Sequence, residues 1–334
     1  MTEAAASAVP GTVPGGPADS VSMADPWIRR WAAWALERFP PGRAVAMLLI
    51  FVPVVVYGRW LVASPGTSPG LGWLDVAGFF GFLGLLYTMR VIDEHKDYDE
   101  DCVNYPERVL QRGLVTKAQL RATLAVAIPL QLGVCIAYDH GLGAVTAAWA
   151  VTFAWLLLLW RELFVGAWLR RHFMVYALTH VPMFPLMTYW VTTMGARGGV
   201  GGADVVVLLA MSFCVGFAGE MARKMRSPER ELDHYVTYTK VLGTRRACAV
   251  ASVLLVAGTV LAVVLLARTG GLDYVTIPLA ALTGLYGVVT AALFARNPTP
   301  KSEKLMFNGI GSAMVTFYVL LFTAVVAESG LTWT

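Results

Sequence analysis

Aspartates recur four residues apart in the stretch running from Asp93 through Glu94, Asp97, Asp99 and Glu100 to Asp101. On an α-helix each step of four advances about 40° beyond a full turn, so Asp93, Asp97 and Asp101 trace one slowly spiralling stripe. Like charges held on one face repel, and a divalent cation bridging them to a diphosphate would relieve that repulsion. Asp93, Asp97 and Asp101 are therefore the candidate catalytic acids, with Glu94 beside them as a further metal ligand. A solvated acidic loop is the plainer use of the same residues, since Asp99 and Glu100 lie off the stripe.

Arg108 and Arg112 follow, flanked by Pro106 and Gly113 as turn residues. Four apart, they can share a helical face and aim planar guanidinium forks at an anion held by the metal. Juxtamembrane arginines also simply set topology. A second polar stretch, from Glu220 to Glu231, mixes both signs. Glu220, Lys224, Ser227 and Glu231 fall on one face if a helix runs through them, although Pro228 can bend it. Glu220 and Glu231 are candidate ligands of a second ion, and Arg223, Lys224 and Arg226 candidate diphosphate ligands. Surface ion pairs between Glu220 and Arg223 or Lys224 are the plainer use of that spacing, and its position opposite the first acidic stretch favours the site.

The elements that must carry these residues are apolar. The chain is 57% hydrophobic and 14% charged, far below the roughly 25% charge of soluble domains. Runs long enough to span a bilayer, about 20 residues each, are read at 44–63, 71–92, 118–137, 143–162, 173–194, 203–220, 246–267, 274–295 and 305–327. The expectation is an all-α integral membrane protein of nine transmembrane helices. Residues 1–26, rich in Ala, Gly, Pro and Ser, read as a disordered tail. Residues 27–43, with Trp27, Trp31, Trp34 and Phe39 among arginines, suit an amphipathic helix on the membrane surface or a plain linker. The transmembrane domain then covers 44–334.

With the N-terminus placed in the cytoplasm, only Arg59, Arg197 and Arg268 of the 26 basic residues fall away from the inner side. The C-terminus then lies outside, and both polar stretches lie inside, after the second and sixth spans. That four-span interval suggests two four-helix halves plus a ninth helix, their polar loops facing one central cavity. The net charge of +4 follows from topology and gives no reason to expect nucleic acid. The four cysteines form no CxxC pair, so neither a zinc site nor a disulfide framework is indicated.

Three features near the cavity stand out further. Glu162 closes the fourth span, where an ion pair with Arg161 or with the second loop suits it better than catalysis. His180 lies two turns into the fifth span, ahead of Pro182 and Pro185, which should break that helix. Of the many aromatic residues, Tyr176, Phe184 and Phe217 are candidates for an inward face, where a ring can stabilise a carbocation.

These residues together resemble the UbiA superfamily of intramembrane prenyltransferases, over nearly the whole chain from about residue 44. The first motif of that family is an Asn-Asp pair followed by two spaced aspartates. Here Asp93-Glu94, Asp97 and Asp101 stand at its positions, with Tyr105, Pro106, Glu107, Arg108, Arg112 and Gly113 also similar. The second motif departs: three regular aspartates give way to Glu220, Arg223, Lys224, Arg226, Glu229 and Glu231. The resemblance implies nine helices around a cavity, Mg2+ or Mn2+ as cofactor, and ionisation of an isoprenyl diphosphate in the bilayer. The altered second motif leans the expectation towards the branch resembling UbiA-type terpene cyclases, in which the chain's own alkenes capture the cation. Transfer to an aromatic or other acceptor is the alternative, and a cation transporter a more remote one. Protein partners, chain length and product are not legible.

Overall fold

Apolar stretches of this length satisfy their backbone hydrogen bonds internally only as helices, which is why the chain is built almost entirely of them. The computed structural model describes residues 17–64, 66–233 and 235–334. In chain order its helices are α1 (Trp27–Arg38), α2 (Pro41–Val62), α3 (Trp73–Lys96), α4 (Tyr98–Asn104), α5 (Lys117–Asp139), α6 (Ala144–Trp160) and α7 (Gly166–Arg171). There follow α8 (Phe173–His180), α9 (Met183–Ala196), α10 (Ala203–Arg223), α11 (Tyr238–Leu242), α12 (Thr244–Thr269), α13 (Asp273–Arg296) and α14 (Pro300–Ser329).

The chain is an all-α integral membrane protein. Among the described residues seven helices, α2, α3, α5, α10, α12, α13 and α14, are long and apolar enough to cross a membrane. The 17 residues of α6 form a shorter apolar helix. The fifth apolar stretch is divided into α8 and α9, with Pro182 between them, because proline offers no N–H to the helix ladder. Two short strands, β1 (Gly70–Leu71) and β2 (Thr332–Trp333), pair in parallel.

The helices group into two compact units, one comprising Met1–Met47 and Leu83–Leu130, the other Leu48–Phe82 and Gln131–Thr334. In the first, the fully buried Trp34 of α1 packs with Ala33, Val91, Val109, Leu110, Val115 and Leu120. Trp31, Trp34 and Phe39 surround Tyr87. Of the aromatic residues in α1, Trp34 is thus a core residue and Trp27 and Trp31 are half-buried, while the aliphatic Ile28 and Leu36 are exposed. Of the tail read over 1–26, residues 1–16 lie outside the described residues. Pro17–Ser20 forms a 3₁₀ turn, and Ala18 and Val21 are buried in the same core.

In the second unit α2 meets α9 at glycines. A Cβ at Gly58 would stand 2.5 Å from the Thr192 carbonyl oxygen, and one at Gly195 2.1 Å from that of Val55. Such close backbone approach is how membrane helices gain packing without a hydrophobic drive between them. Near the start of α3, Asp75 is buried and accepts hydrogen bonds from Arg59 (2.6 Å), Tyr138 (2.9 Å) and the Gly72 N–H (2.8 Å).

Candidate functional site

The acidic stripe is built at the end of α3. Lys96 is the last residue of that helix, and Asp97, at φ −98° and ψ 11°, joins it to α4. Backbone bonds of 2.8 Å from Asp97 to Asp93, from Asp101 to Asp97 and from Tyr105 to Asp101 carry the spacing of four across the joint. The three aspartates therefore keep their register across the end of α3 and the start of α4 rather than on one helix. Asp93 and Asp97 are exposed, whereas Glu94, on another face, is 0% exposed.

Glu94 is surrounded by cations. Its Oε1 lies 2.6 Å from Arg38 Nε and accepts hydrogen bonds from Arg90 Nε (3.0 Å) and Nη2 (2.9 Å). Asp101 Oδ2 accepts a 3.0 Å hydrogen bond from Arg108 Nη1, with Arg38 Nη2 at 3.9 Å and Arg90 Nη2 at 4.0 Å. Arg108 also lies over the Tyr105 ring, 3.5 Å from its centroid. Burial, and then the neighbouring Arg90, pull the Arg38 guanidinium below its ordinary pKa, while Glu94 acts in the opposite sense. Glu37, 3.5 Å from Arg38, accepts a hydrogen bond from the Val109 N–H (3.0 Å), and burial above all pushes its carboxyl up.

Arg112 does not join Arg108. Residues between α4 and α5 form turns rather than a helix, and Arg112 donates to the Ala18 carbonyl (2.7 Å) and Asp19 (3.2 Å). Sequence reasoning missed Arg38, Glu37 and Arg90. The position of Arg90 four residues before Glu94 was a readable signal. Nothing local ties Arg38 to a carboxylate so far along the chain.

In the second unit, α10 stops at Arg223, so Glu220, Lys224, Ser227 and Glu231 do not form the helical face expected of them. The Lys224 N–H turns back to the carbonyls of Glu220 and Met221, closing the helix before Pro228 is reached. Glu220 holds Arg223 in a forked pair (2.8 and 2.9 Å) and Lys224 at 3.1 Å. Glu231 accepts from the hydroxyls of Thr237 (2.7 Å) and Thr239 (2.5 Å). Arg226 donates to the carbonyls of Arg223 (2.8 Å) and Met225 (2.9 Å). A residue that sequence reasoning passed over anchors this loop. Buried Glu303 of α14 accepts from the Ser227 N–H (2.7 Å) and hydroxyl (3.0 Å), with Arg226 at 3.6 Å and Arg230 at 3.4 Å.

Glu162 pairs with Arg170 at 2.5 Å. His180 Nδ1 lies 2.8 Å from the Tyr176 carbonyl, and the two rings lie tilted with centroids 4.2 Å apart. Phe184 packs on Gly216, where a Cβ would stand 2.4 Å from its ring, and Phe217 is buried. A surface groove in each unit, one lined by Tyr98, Lys117 and Arg121 and the other by Arg245, Arg246 and Arg296, touches none of these aromatic residues.

Among the described residues no three His, Cys, Asp or Glu side chains converge to hold a metal ion. Glu94, Glu220 and Glu231, read from the sequence as further ligands, direct oxygens to the cations and hydroxyls named above. Asp93 and Asp97 fit a smaller role. They are hard oxygen donors one turn apart, and Mg2+ commonly takes one or two carboxylates, several waters and substrate phosphate oxygens.

The sequence matches no protein-family model and no curated protein. Its fold is similar to a solved structure described as digeranylgeranylglyceryl phosphate synthase in membranes. The TM-score is 0.61 at 14% identity, over 89% of this chain and 99% of that one.

Proposed function

We propose that this chain is an intramembrane enzyme of the UbiA type that ionises an isoprenyl diphosphate and joins the prenyl chain to an acceptor. The observation that carries the proposal is an exposed Asp93 and Asp97 pair, beside an arginine cluster, in a fold like that of a membrane synthase. The name of that synthase describes two geranylgeranyl chains on glyceryl phosphate, which supports transfer to an acceptor as the outcome.

In the reaction, the bond between the allylic carbon and the diphosphate oxygen breaks, and its electron pair leaves with the diphosphate. An acceptor supplies a new pair to the carbocation and loses a proton. A divalent ion, Mg2+ or Mn2+, held by Asp93 and Asp97, would neutralise charge on the leaving group when bound. Arg108, partly exposed beside Asp101, is placed to stabilise that charge from the protein side. The surrounding apolar helices keep water from the cation.

Cyclisation is the second reading, favoured by the basic character of the second polar stretch, where Glu220 is engaged by both Arg223 and Lys224. In it, an alkene of the same chain supplies the electron pair.

The test is incubation of membranes holding the protein with ten-, fifteen- and twenty-carbon prenyl diphosphates and Mg2+, with and without glycerol phosphate or a phenolic acceptor. Diphosphate release with a joined product is expected, and Asp97→Ala should lower release at least a hundredfold while leaving membrane insertion intact. A cyclised hydrocarbon without acceptor would establish the second reading. No diphosphate release from any substrate would overturn both.

A further inference from the structure

Glu303 stands in the first turn of α14, where local structure suits an acid. Thr299 caps that helix by accepting from the Ser302 N–H, and Pro300 is its first residue. A carboxylate in a first turn is favoured by the helix dipole. Yet Glu303 is only 5% exposed, and a buried charge persists only where it is paired. Among the described residues, the partners of its carboxylate all come from the turn that follows α10. Oε2 accepts from both the N–H (2.7 Å) and the hydroxyl (3.0 Å) of Ser227, itself fully buried. Oε1 faces the guanidinium groups of Arg230 (3.4 Å) and Arg226 (3.6 Å).

This turn lies directly after the cations that the second polar stretch would offer to a substrate. Arg223 ends α10, and the Lys224 N–H closes it. Two further bonds on the segment come from within the loop. The Tyr238 N–H reaches the Lys224 carbonyl (3.4 Å), and the Thr239 hydroxyl accepts from the Arg226 N–H (3.1 Å). Arg226 turns its guanidinium back to the Arg223 and Met225 carbonyls (2.8 and 2.9 Å), which stitches the turn together. Those bonds tie the loop to itself. Glu303 ties it to a membrane span.

We propose that Glu303 is a positioning residue for substrate binding, clamping the turn after α10 to α14 so that Arg223 and Lys224 meet the diphosphate as a fixed pair. Glu220 sets the spacing of those two side chains, and Glu303 sets the backbone that follows them. A guanidinium and an ammonium held in advance lose less freedom when an anion arrives, so the clamp acts on affinity. Arg226 belongs to the clamp and not to the diphosphate ligands. The last span, α14, thereby serves the site without touching substrate. The inference deepens the proposed function and rests on it for the identity of the anion.

The test follows hydrogen exchange of residues 224–231 in the full-length protein in nanodiscs. Alongside it run calorimetric binding of inorganic pyrophosphate with Mg2+ and turnover of prenyl diphosphates. Glu303→Ala should speed exchange in that segment about tenfold or more. It should also weaken pyrophosphate binding and raise KM by about tenfold, with kcat within about threefold. A residue needed only for stability would instead lower the active fraction, and so the apparent kcat, at constant KM. Glu303→Gln, which keeps an acceptor for Ser227, should restore most of the protection and affinity. Ser227→Ala should move both readouts the same way by less, and should add nothing to Glu303→Ala in the double variant, since both act through one contact. Glu328→Ala, an exposed change near the far end of the same helix, should match wild type. Unchanged exchange in Glu303→Ala would overturn the clamp. Faster exchange at wild-type pyrophosphate affinity, or no pyrophosphate binding by wild type, would overturn the positioning role. Weakened pyrophosphate binding in a protein that turns over no prenyl diphosphate would leave the clamp standing and remove the proposed function.

Discussion

Glu37 carries a stability signature that depends on pH. Burial raises its carboxyl above the ordinary value of 4.5, so the folded protein takes up this proton more readily than the unfolded chain. Ionised Glu37 therefore costs stability at neutral pH. That cost fades as the pH falls through the raised value towards 4.5, where its stabilising contribution is recovered. Glu37→Gln should raise the unfolding temperature near pH 7, with the difference shrinking as the pH approaches 4.5, read by tryptophan fluorescence. A difference independent of pH would mean that amide packing, not charge, is responsible. In the second unit, Arg223 and Lys224 both pair with Glu220. If they also contact diphosphate, replacing both with Ala should raise the apparent KM for prenyl diphosphate about tenfold or more. An unchanged KM would reduce them to partners of Glu220 and to topology.

At the scale of elements, the crossing of α2 and α9 is set by glycines. Gly195→Ala would drive a methyl group against the Val55 carbonyl, and overpacking of this kind costs about 1–3 kcal/mol. Gly195→Ala should therefore lower thermal stability measurably in nanodiscs, whereas alanine at Gly133, where nothing lies within 4 Å of the added Cβ, should not. Most such elements were legible in the sequence. Each of the nine apolar runs is helical, and Pro182 marks the break in the fifth. Helix ends were less so, because backbone capping decides them. The Lys224 N–H closes α10 well before Pro228, and the kink at Asp97 leaves the spacing of four intact and so no trace in the pattern. Partners remote in sequence were not legible at all. Ser227 and Glu303 are 76 residues apart, and burial, not spacing, makes that pairing necessary. Glu94 reads as one more acid of the motif until α1 brings Arg38 against it.

Across the whole molecule, one question is what captures the carbocation. A transferase has to admit an acceptor, whereas a cyclase has to fold the substrate on itself. Phe184, seated on Gly216 with Phe217 following, is proposed for the inward face, and its change tests that difference. In a transferase, Phe184→Ala should change acceptor use by at least severalfold at nearly constant diphosphate release. In a cyclase it should redistribute cyclic products without any acceptor. Product analysis by gas chromatography of the extracts separates the two outcomes, and unchanged products with every acceptor would place Phe184 outside the reaction space.

The buried union of Arg59, Asp75 and Tyr138 bears on how the chain enters the bilayer during synthesis. Arg59 lies near the end of α2 and Asp75 near the start of α3, each opposite the other's charge. An ionised group near the lipid is expensive alone and far less so when neutralised by its partner. Until α3 is made, Arg59 of α2 therefore lacks this partner, and the expected outcome is that α2 and α3 integrate together as a hairpin. Nascent chains cut after α2 should be extracted by alkaline carbonate, and chains continuing past α3 should resist it. Loss of either charge would strand the other, exposing the newborn protein to the proteases that clear unassembled membrane segments.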